Sequence, residues 1–333
     1  MTQITSTVDF NAPGKQIGWL RVPHSVTRSA YGVIPIPIAV LNNGPGPQIL
    51  LIAGTHGDEY EGQVVLTRLI QKLRAEDMRG RLIVIPSLNT PAAMAGTRTS
   101  PLDDGNLNRA FPGDPDGGPT WKIADYLQNH LVPMVDVVAD FHCGGSSLAY
   151  RPHASTHFSA DAPPELKQRS LDAVKALGLR HVMIFEIPGS SGGGMSTATR
   201  RHGKIYLNGE YGGTGALTPD GITLVDGAVR RLLAFFGAID SELPVLPPPQ
   251  ALRVFGPRAY VYAPDAGVFV PATRLGDTVD EGDICGELVF PENPGRDPIV
   301  LRFEGPGDVV CQRHPARVER GDCVAHLARA VET

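Results

Sequence analysis

Cysteine is scarce in this sequence, and so are the features of several large protein classes. The 333 residues include four cysteines, at positions 143, 285, 311 and 323, and no Cys-x-x-Cys pair. So few cysteines in a chain of this length exclude a small domain held together by disulfides. The net charge of −5 and the lack of a long basic run argue against a nucleic-acid partner.

Long apolar runs and a leader segment are missing as well. Apolar stretches such as residues 49–53 are far shorter than the ~20 residues that cross a bilayer. Residues 1–10 lack the basic and apolar regions of a secretory signal. We therefore predict a soluble cytoplasmic protein without a membrane partner.

Glycine and proline, by contrast, are abundant and follow no period. The chain contains 38 glycines and 30 prolines, and hydrophobic residues make up 42% of it. This composition predicts a globular protein with a sizeable core and many turns. The length predicts about two domains.

Short apolar segments alternate with segments of helical spacing from residue 48 onward. This alternation predicts an α/β fold with a mostly parallel, mixed sheet covered by helices. The residues before position 42 alternate between apolar and polar types and include Pro35 and Pro37, which predicts β-structure near a sheet edge. The predicted strands are 48–53, 81–86, 135–141, 181–187 and 204–211, and the predicted helices are 64–73, 121–132, 164–177 and 219–236.

A proline-rich segment, residues 244–250, predicts a stiff linker between two units. The first unit is 1–243, with an N-terminal β-segment at 1–45, and the second is a C-terminal β-domain at 251–333. In the second unit the pattern V-x-x-G-D-x-x-x-x-L occurs twice, 39 residues apart. It predicts two similar halves packed face to face, as in the barrel-sandwich of biotinyl and lipoyl carrier domains. Residues 289–310 contain no lysine, so a carrier role is not expected.

Two of the predicted strands lead into histidines. His56 and Glu59 form an H-x-x-E pair after strand 48–53, and His142 follows strand 135–141. Because open α/β sheets build their sites at the carboxyl ends of parallel strands, these side chains are expected to meet. Two histidines, a glutamate and a water form a common catalytic zinc site, so we predict one zinc ion per chain. Asp140 is a candidate partner for His142 if its side chain lies on the same face. Taken singly, the H-x-x-E pair is a weak signal that more often marks a solvated polar loop.

Other polar residues are candidates for the remaining catalytic roles. Arg98 could polarise a substrate carbonyl, and Asn108 with Arg109 is suited to binding a carboxylate. Glu210 ends an apolar strand before two glycines, which favours it as general base and acid. Glu186, at the end of another strand, is the alternative candidate for that role.

Together these motifs resemble the succinylglutamate desuccinylase/aspartoacylase family over residues 48–236, and the appended β-domain is typical of that branch. The resemblance implies a zinc-carboxypeptidase-like fold and hydrolysis of the linear amide bond of an N-acyl amino acid. In family terms His56, Glu59 and His142 resemble the zinc ligands. Glu210 resembles the general base and acid.

The same resemblance extends to the substrate-binding residues. Arg98 resembles the carbonyl-polarising arginine, and Asn108 with Arg109 the carboxylate-binding pair. A closer resemblance is to the deacetylases that act on N-acetyl-L-2,4-diaminobutyrate in ectoine degradation. Cys143 departs from their pattern, in which serine is expected, and a thiolate beside a metal ligand would compete for the metal. The stretches that carry the closer resemblance are around His24 and at 53–63, 94–113 and 142–148.

The prediction is therefore a zinc-dependent amidohydrolase that removes an acetyl group from N-acetyl-L-2,4-diaminobutyrate, a small-molecule substrate. A succinylglutamate or N-acetylaspartate deacylase, a zinc carboxypeptidase and a catalytically silent binding module are the alternatives. The sequence leaves the oligomeric state open, including a homo-oligomer. Candidate partners for the substrate ammonium are Asp58, Asp103 and Asp104, and candidate partners for a second substrate carboxylate are Arg200, Arg201 and Lys204.

Overall fold

The computed structural model describes residues 4–189, 192–240 and 243–332. The helices in these ranges are α1 (Tyr60–Lys72), α2 (Thr90–Ala95), α3 (Pro119–Tyr126), α4 (Pro164–Ala176), α5 (Met195–Arg201) and α6 (Pro219–Phe235). The strands of the N-terminal part are β1 (Thr5–Ser6), β2 (Gly14–Pro23), β3 (Val33–Asn43), β4 (Gln48–Ala53), β5 (Gly80–Ile85), β6 (Val137–His142), β7 (Leu148–Tyr150), β8 (His153–Ser159), β9 (His181–Ile187) and β10 (Ile205–Glu210). The remaining strands are β11 (Gln250–Arg253), β12 (Tyr260–Tyr262), β13 (Gly267–Pro271), β14 (Thr278–Val279), β15 (Ile284–Val289), β16 (Ile299–Arg302), β17 (Gly307–Arg313), β18 (Arg317–Val318) and β19 (Cys323–Val331).

One large mixed sheet runs through the molecule in the order β1-β2-β3-β5-β4-β6-β10-β8-β9-β11-β19-β17-β14. Strands β5, β4, β6 and β10 are parallel to one another. Strand β8 is antiparallel to β10, and β9 is parallel to β8, so β8 and β9 run against the central strands. The predicted mostly parallel mixed sheet is confirmed, and the reversal at β8 decides which strand ends meet at the site.

Helices cover both faces of this sheet and bury its side chains in two cores. Leu51 and Val229 belong to the core under α1, α4 and α6, whereas Ile52 and Ile123 belong to the core under α3 and α5. Neighbouring residues of β4 thus point into different cores, which is why its sequence is apolar at every position from Ile49 to Ala53. Among the helices in the described ranges, none has the length and hydropathy that a membrane crossing requires.

The predicted strands and helices each coincide with an observed element, but the sequence did not indicate β7, β8, α2 or α5. Strand β8 has the sequence HASTHFS, which lacks the apolar run that marked the other strands. The predicted helix 121–132 is shorter as an α-helix, because α3 ends at Tyr126 and the chain continues as a π-helical turn, Leu127–Leu131. The predicted N-terminal β-structure is confirmed: Pro35 and Pro37 pair with β2, and β5 joins β3 only from Ala39 onward.

The repeated pattern of the C-terminal region forms the same turn twice. Asp283 accepts a hydrogen bond from the backbone N–H of Asp280 at 2.7 Å, and Asp322 accepts the equivalent bond from Glu319 at 2.9 Å. Gly282 and Gly321 both have φ of 92°, a left-handed conformation that favours glycine. The two turns lead into strands of two facing sheets that share one core, as the barrel-sandwich resemblance predicts.

The C-terminal region packs directly on the rest of the chain. Strand β11 pairs with β9 and with β19, and β7 pairs with β17. Met183 and Val310 meet in a small apolar cluster between the two regions, and Arg151 forms an ion pair with Asp308 at 3.1 Å. The division at residues 244–250 stays a prediction.

The packing of α1 against the ends of β4 and β6 generates a stability prediction. A Cβ on Gly62 would lie 2.8 Å from Phe141 Cβ and 2.9 Å from Ala53 Cβ, whereas a Cβ on Gly227 in α6 would meet nothing within 4 Å. Gly62→Ala should therefore lower the free energy of unfolding by ~1–3 kcal/mol through overpacking. Gly227→Ala should raise it by ~0.5–1 kcal/mol, because alanine favours the helix.

The midpoint of thermal unfolding of the two variants and the unmodified protein measures both effects. Because both changes are glycine to alanine inside a helix, Gly227→Ala controls for helix propensity. A shift of both midpoints in the same direction would contradict this account of the α1 packing.

Candidate metal centre and active site

The loop between β4 and α1 carries His56 and Glu59. Gly57 lets this loop pass close to α2, since a Cβ there would lie 2.0 Å from the carbonyl carbon of Ala92. Glu59 is the residue immediately before α1, so the start of the helix fixes the position of its side chain. His142 is the last residue of β6, which is the neighbour of β4 in the sheet. The predicted strand-end placement is thus what the structure shows.

The three predicted ligands meet in one buried cluster. His56 Nδ1 lies 2.6 Å from Glu59 Oε1, and His142 Nδ1 lies 2.8 Å from Glu59 Oε2. One ligand atom from each residue falls within 4.8 Å of the others, and each residue is at most 5% exposed. Two imidazole nitrogens and a carboxylate oxygen are a donor set that fits a divalent metal ion.

Each histidine is held by a second polar partner on its other ring nitrogen. His142 Nε2 lies 2.9 Å from Asp140 Oδ2, and the Thr55 hydroxyl donates to the same carboxylate at 3.0 Å. Asp140 and His142 are two residues apart on β6, so they share a face and the predicted contact forms. His56 Nε2 lies 3.2 Å from Asn106 Oδ1, a contact that sequence reasoning missed. These partners leave Nδ1 of both rings for a metal.

The neighbouring charges in this cluster lower the pKa of Glu59 and raise the pKa of His142. Burial alone would raise the pKa of Glu59, but the charges and hydrogen bonds of His56 and His142 hold this pKa well below its usual value. Burial would lower the pKa of His142, but Asp140 and Glu59 raise it well above the usual value. The Glu59 carboxylate is thus stable in a buried position because positive charge surrounds it.

Glu210 stands beside the cluster, in register with His142 on the neighbouring strand β10. Burial, followed by the negative charge of Glu59, raises the pKa of Glu210 to about 8. The alternative candidate, Glu186, lies on β9, which runs in the opposite direction, and pairs with Lys167 at 2.9 Å. Strand reversal therefore carries Glu186 to the other end of the sheet.

Arg98 also reaches the centre. Its Nη1 lies 3.4 Å from Glu59 Oε1, and its positive charge acts on Glu210 by lowering that residue's pKa. Its side chain is 42% exposed, so part of the guanidinium-bearing chain faces solvent.

The predicted carboxylate-binding pair lies on the turn that follows Asn106. Asn108 Oδ1 accepts a hydrogen bond from the backbone N–H of Met195 at 3.0 Å, which ties this turn to the start of α5. Arg109 is exposed, and its Nη1 donates to the carbonyl of Asn108 at 2.8 Å. The backbone N–H of Asn108 donates to Asn106 Oδ1 at 3.1 Å, so Asn108 is linked to His56 through Asn106.

Cys143 follows His142 and is buried. Its backbone N–H donates to Glu59 Oε2 at 3.2 Å. Burial, together with the charges of Glu59 and Glu61, raises the pKa of the thiol far above its usual value. The thiolate considered from the sequence is therefore disfavoured, and Cys143 acts on the site through its backbone.

Known proteins are similar to this chain in sequence and in fold. The succinylglutamate desuccinylase/aspartoacylase catalytic domain matches residues 45–236. An N-alpha-acetyl-L-2,4-diaminobutyric acid deacetylase from Halomonas elongata is 42% identical over 332 residues, covering 99% of this chain and 96% of that protein.

Solved structures agree with this relationship. The product-bound ectoine utilization protein EutE (DoeB) from Ruegeria pomeroyi superposes with a TM-score of 0.93 at 36% identity, over 99% of each chain. A succinylglutamate desuccinylase from Silicibacter sp. gives a TM-score of 0.93 at 37% identity, also over 99% of each chain. The chain therefore belongs to the succinylglutamate desuccinylase/aspartoacylase family.

Proposed function

We propose that the protein is a zinc-dependent deacetylase that hydrolyses N-acetyl-L-2,4-diaminobutyrate to L-2,4-diaminobutyrate and acetate. The observation that carries this proposal is the buried cluster of His56, Glu59 and His142 with Glu210 in register beside it. The near full-length similarity to a deacetylase of this specificity supports the substrate.

The donor set is suited to one zinc ion per chain. Two Nδ1 atoms and a carboxylate oxygen converge, while the Nε2 atoms are occupied by Asp140 and Asn106. Three protein ligands leave a coordination position for substrate or water. When bound, such an ion supplies Lewis acidity that polarises the amide carbonyl and acidifies a water molecule.

Glu210 is suited to moving the proton that this hydrolysis requires. Its carboxylate accepts a proton from the attacking water and then gives that proton to the leaving amine. A carboxyl group with a raised pKa holds the proton between these two steps more readily than an ordinary glutamate does.

Arg98 and the turn at Asn108 and Arg109 supply the remaining contacts to substrate. The Arg98 guanidinium, partly exposed beside Glu59, donates to the oxygen on which negative charge develops. The exposed Arg109 guanidinium, next to Asn108, binds the carboxylate of the amino-acid part.

The cations that a succinyl or aspartyl substrate would need lie elsewhere. Arg200 donates to the carbonyl of Gly189 at 2.6 Å, beyond the end of β9, and Arg201 donates to Gln128 at 3.2 Å. Lys204 precedes β10, so it lies six residues, or about 20 Å, before Glu210 along the strand. Their positions favour a substrate with a single carboxylate.

The first prediction concerns the metal. His56→Ala and His142→Ala should each lose most of the bound zinc, because each removes one of three protein ligands. Elemental analysis of the purified variants after zinc loading and desalting measures this, with exposed His314→Ala as the matched control. Full occupancy in both site variants would contradict the assigned ligands.

The second prediction separates catalysis from metal binding. Glu210→Gln should keep its zinc but lose ~10²–10⁴-fold in kcat, the usual contribution of general acid–base catalysis. Glu186→Gln is the control and should keep normal kcat, since its side chain pairs with Lys167. The roles would be reversed if Glu186→Gln were inactive and Glu210→Gln active.

The third prediction concerns specificity. For the zinc-loaded enzyme, kcat/KM should be higher for N-acetyl-L-2,4-diaminobutyrate than for N-acetylaspartate or N-succinylglutamate by on the order of 10²-fold. The reason is that a second substrate carboxylate would be buried without a cation. A preference for N-acetylaspartate, with two carboxylates, or for N-succinylglutamate, with three, would overturn the specificity while leaving the zinc mechanism intact.

A further inference from the structure

A second histidine flanks Glu210 on the side away from the metal ligands. Glu210 is in register with His142 on β6 and with His153 on β8. On β8, Ala154 and Phe158 point into the core under α1, α4 and α6, so His153 points to the opposite face. The same face carries Asn208, whose side chain bonds Ser155. His142, Glu210 and His153 therefore form one row across three adjacent strands.

The tautomer of His153 is set by its backbone partner. Its Nδ1 lies 3.0 Å from the carbonyl oxygen of Arg151, which can only accept a hydrogen bond, so Nδ1 carries the proton. Burial lowers the pKa of His153 to about 4, and the ring is neutral at neutral pH. A neutral ring protonated at Nδ1 presents a lone pair at Nε2.

Within the described ranges, no residue hydrogen-bonds to Nε2 of His153. This atom is also not one of the fully buried polar atoms that lack a partner. Tyr150 stands against the ring at 5.8 Å between centroids, in an edge arrangement, and is close enough to Glu210 for its own pKa to be affected. The Nε2 acceptor of His153, the Tyr150 ring and the Glu210 carboxyl group thus lie on neighbouring positions of the site. This combination is suited to an ammonium group.

Two of the three acidic residues expected to bind such a group are engaged by other residues. Asp58 Oδ2 accepts two hydrogen bonds from Ser146 at 2.8 Å, and its other oxygen is shielded from solvent. Asp103 accepts from the backbone and hydroxyl of Thr120 at 2.8 and 2.7 Å. Asp104 is exposed.

We propose that His153 is a specificity-determining residue, whose Nε2 accepts a hydrogen bond from the free side-chain ammonium of the substrate. The inference rests on the proposed function, because only an N-acetylated diamino acid brings that ammonium. Glu210, the neighbour of His153 in the row, gives a proton to the amine that leaves when the amide bond breaks.

The spacing of the row matches the spacing of the two nitrogens. Adjacent strands lie ~4.8 Å apart, and Glu210 and His153 are direct partners across β10 and β8. The two nitrogens of 2,4-diaminobutyrate are four bonds apart, which is about 5 Å in an extended chain of ordinary bond lengths. One nitrogen can therefore meet Glu210 while the other meets His153.

The test compares kcat/KM for N-acetyl-L-2,4-diaminobutyrate with that for N-acetyl-L-norvaline, in which a methyl group replaces the ammonium. In His153→Phe the ratio of the two values should fall at least ~10-fold, as expected for loss of one hydrogen bond to a charged group. His153→Gln, which keeps an acceptor, should retain most of the ratio. A general loss of folding or metal would lower both values and leave the ratio unchanged.

His157→Phe is the matched control. His157 lies four residues further along β8 and on the same face, but its ring stacks on Phe185 with 4.4 Å between centroids. The ratio should not change in this variant. An unchanged ratio in His153→Phe, with unmodified enzyme that prefers the diamino substrate, would overturn the role of His153 alone. Unmodified enzyme that hydrolyses neither substrate would overturn the proposed function and this inference with it.

Discussion

The structure depends on one buried carboxylate. Glu59 is held between His56 and His142 at hydrogen-bond distance, with almost no contact with solvent. A buried negative charge costs several kcal/mol unless positive charge accompanies it, so this position requires cationic partners or a metal ion. The close fit of α1 at Gly62 and the support of His142 by Asp140 serve to hold this cluster in place.

The direction of the strands then determines which side chains surround the cluster. Because β6 and β10 are parallel, His142 and Glu210 reach the same edge of the sheet. Because β8 runs the other way, its first residue, His153, arrives at that edge while its last residues lie at the opposite end. The same reversal takes Glu186 away from the metal cluster. A mixed sheet therefore contributes both the ends and the beginnings of strands to one site.

Much of this could be predicted from the sequence, and the limits have physical causes. His56, Glu59 and His142 follow strongly apolar strands, so hydrophobic patterning located them. Strand β8 carries His153 but has buried polar side chains in place of an apolar run, and so patterning missed it. The contact of Asn106 with His56 spans 50 residues and depends on how a loop folds, which composition and spacing do not encode. Strand direction was also beyond local patterns, which left Glu186 and Glu210 as alternatives.

The central claim is that a zinc ion binds through Nδ1 of both histidines and the carboxylate of Glu59. Anomalous diffraction at the zinc absorption edge, on crystals of the zinc-loaded protein, tests it most directly. The account predicts one anomalous peak at about 2.0–2.2 Å from Nδ1 of His56, Nδ1 of His142 and an oxygen of Glu59. A peak bonded through Nε2 of either histidine, or no peak at this cluster, would contradict it.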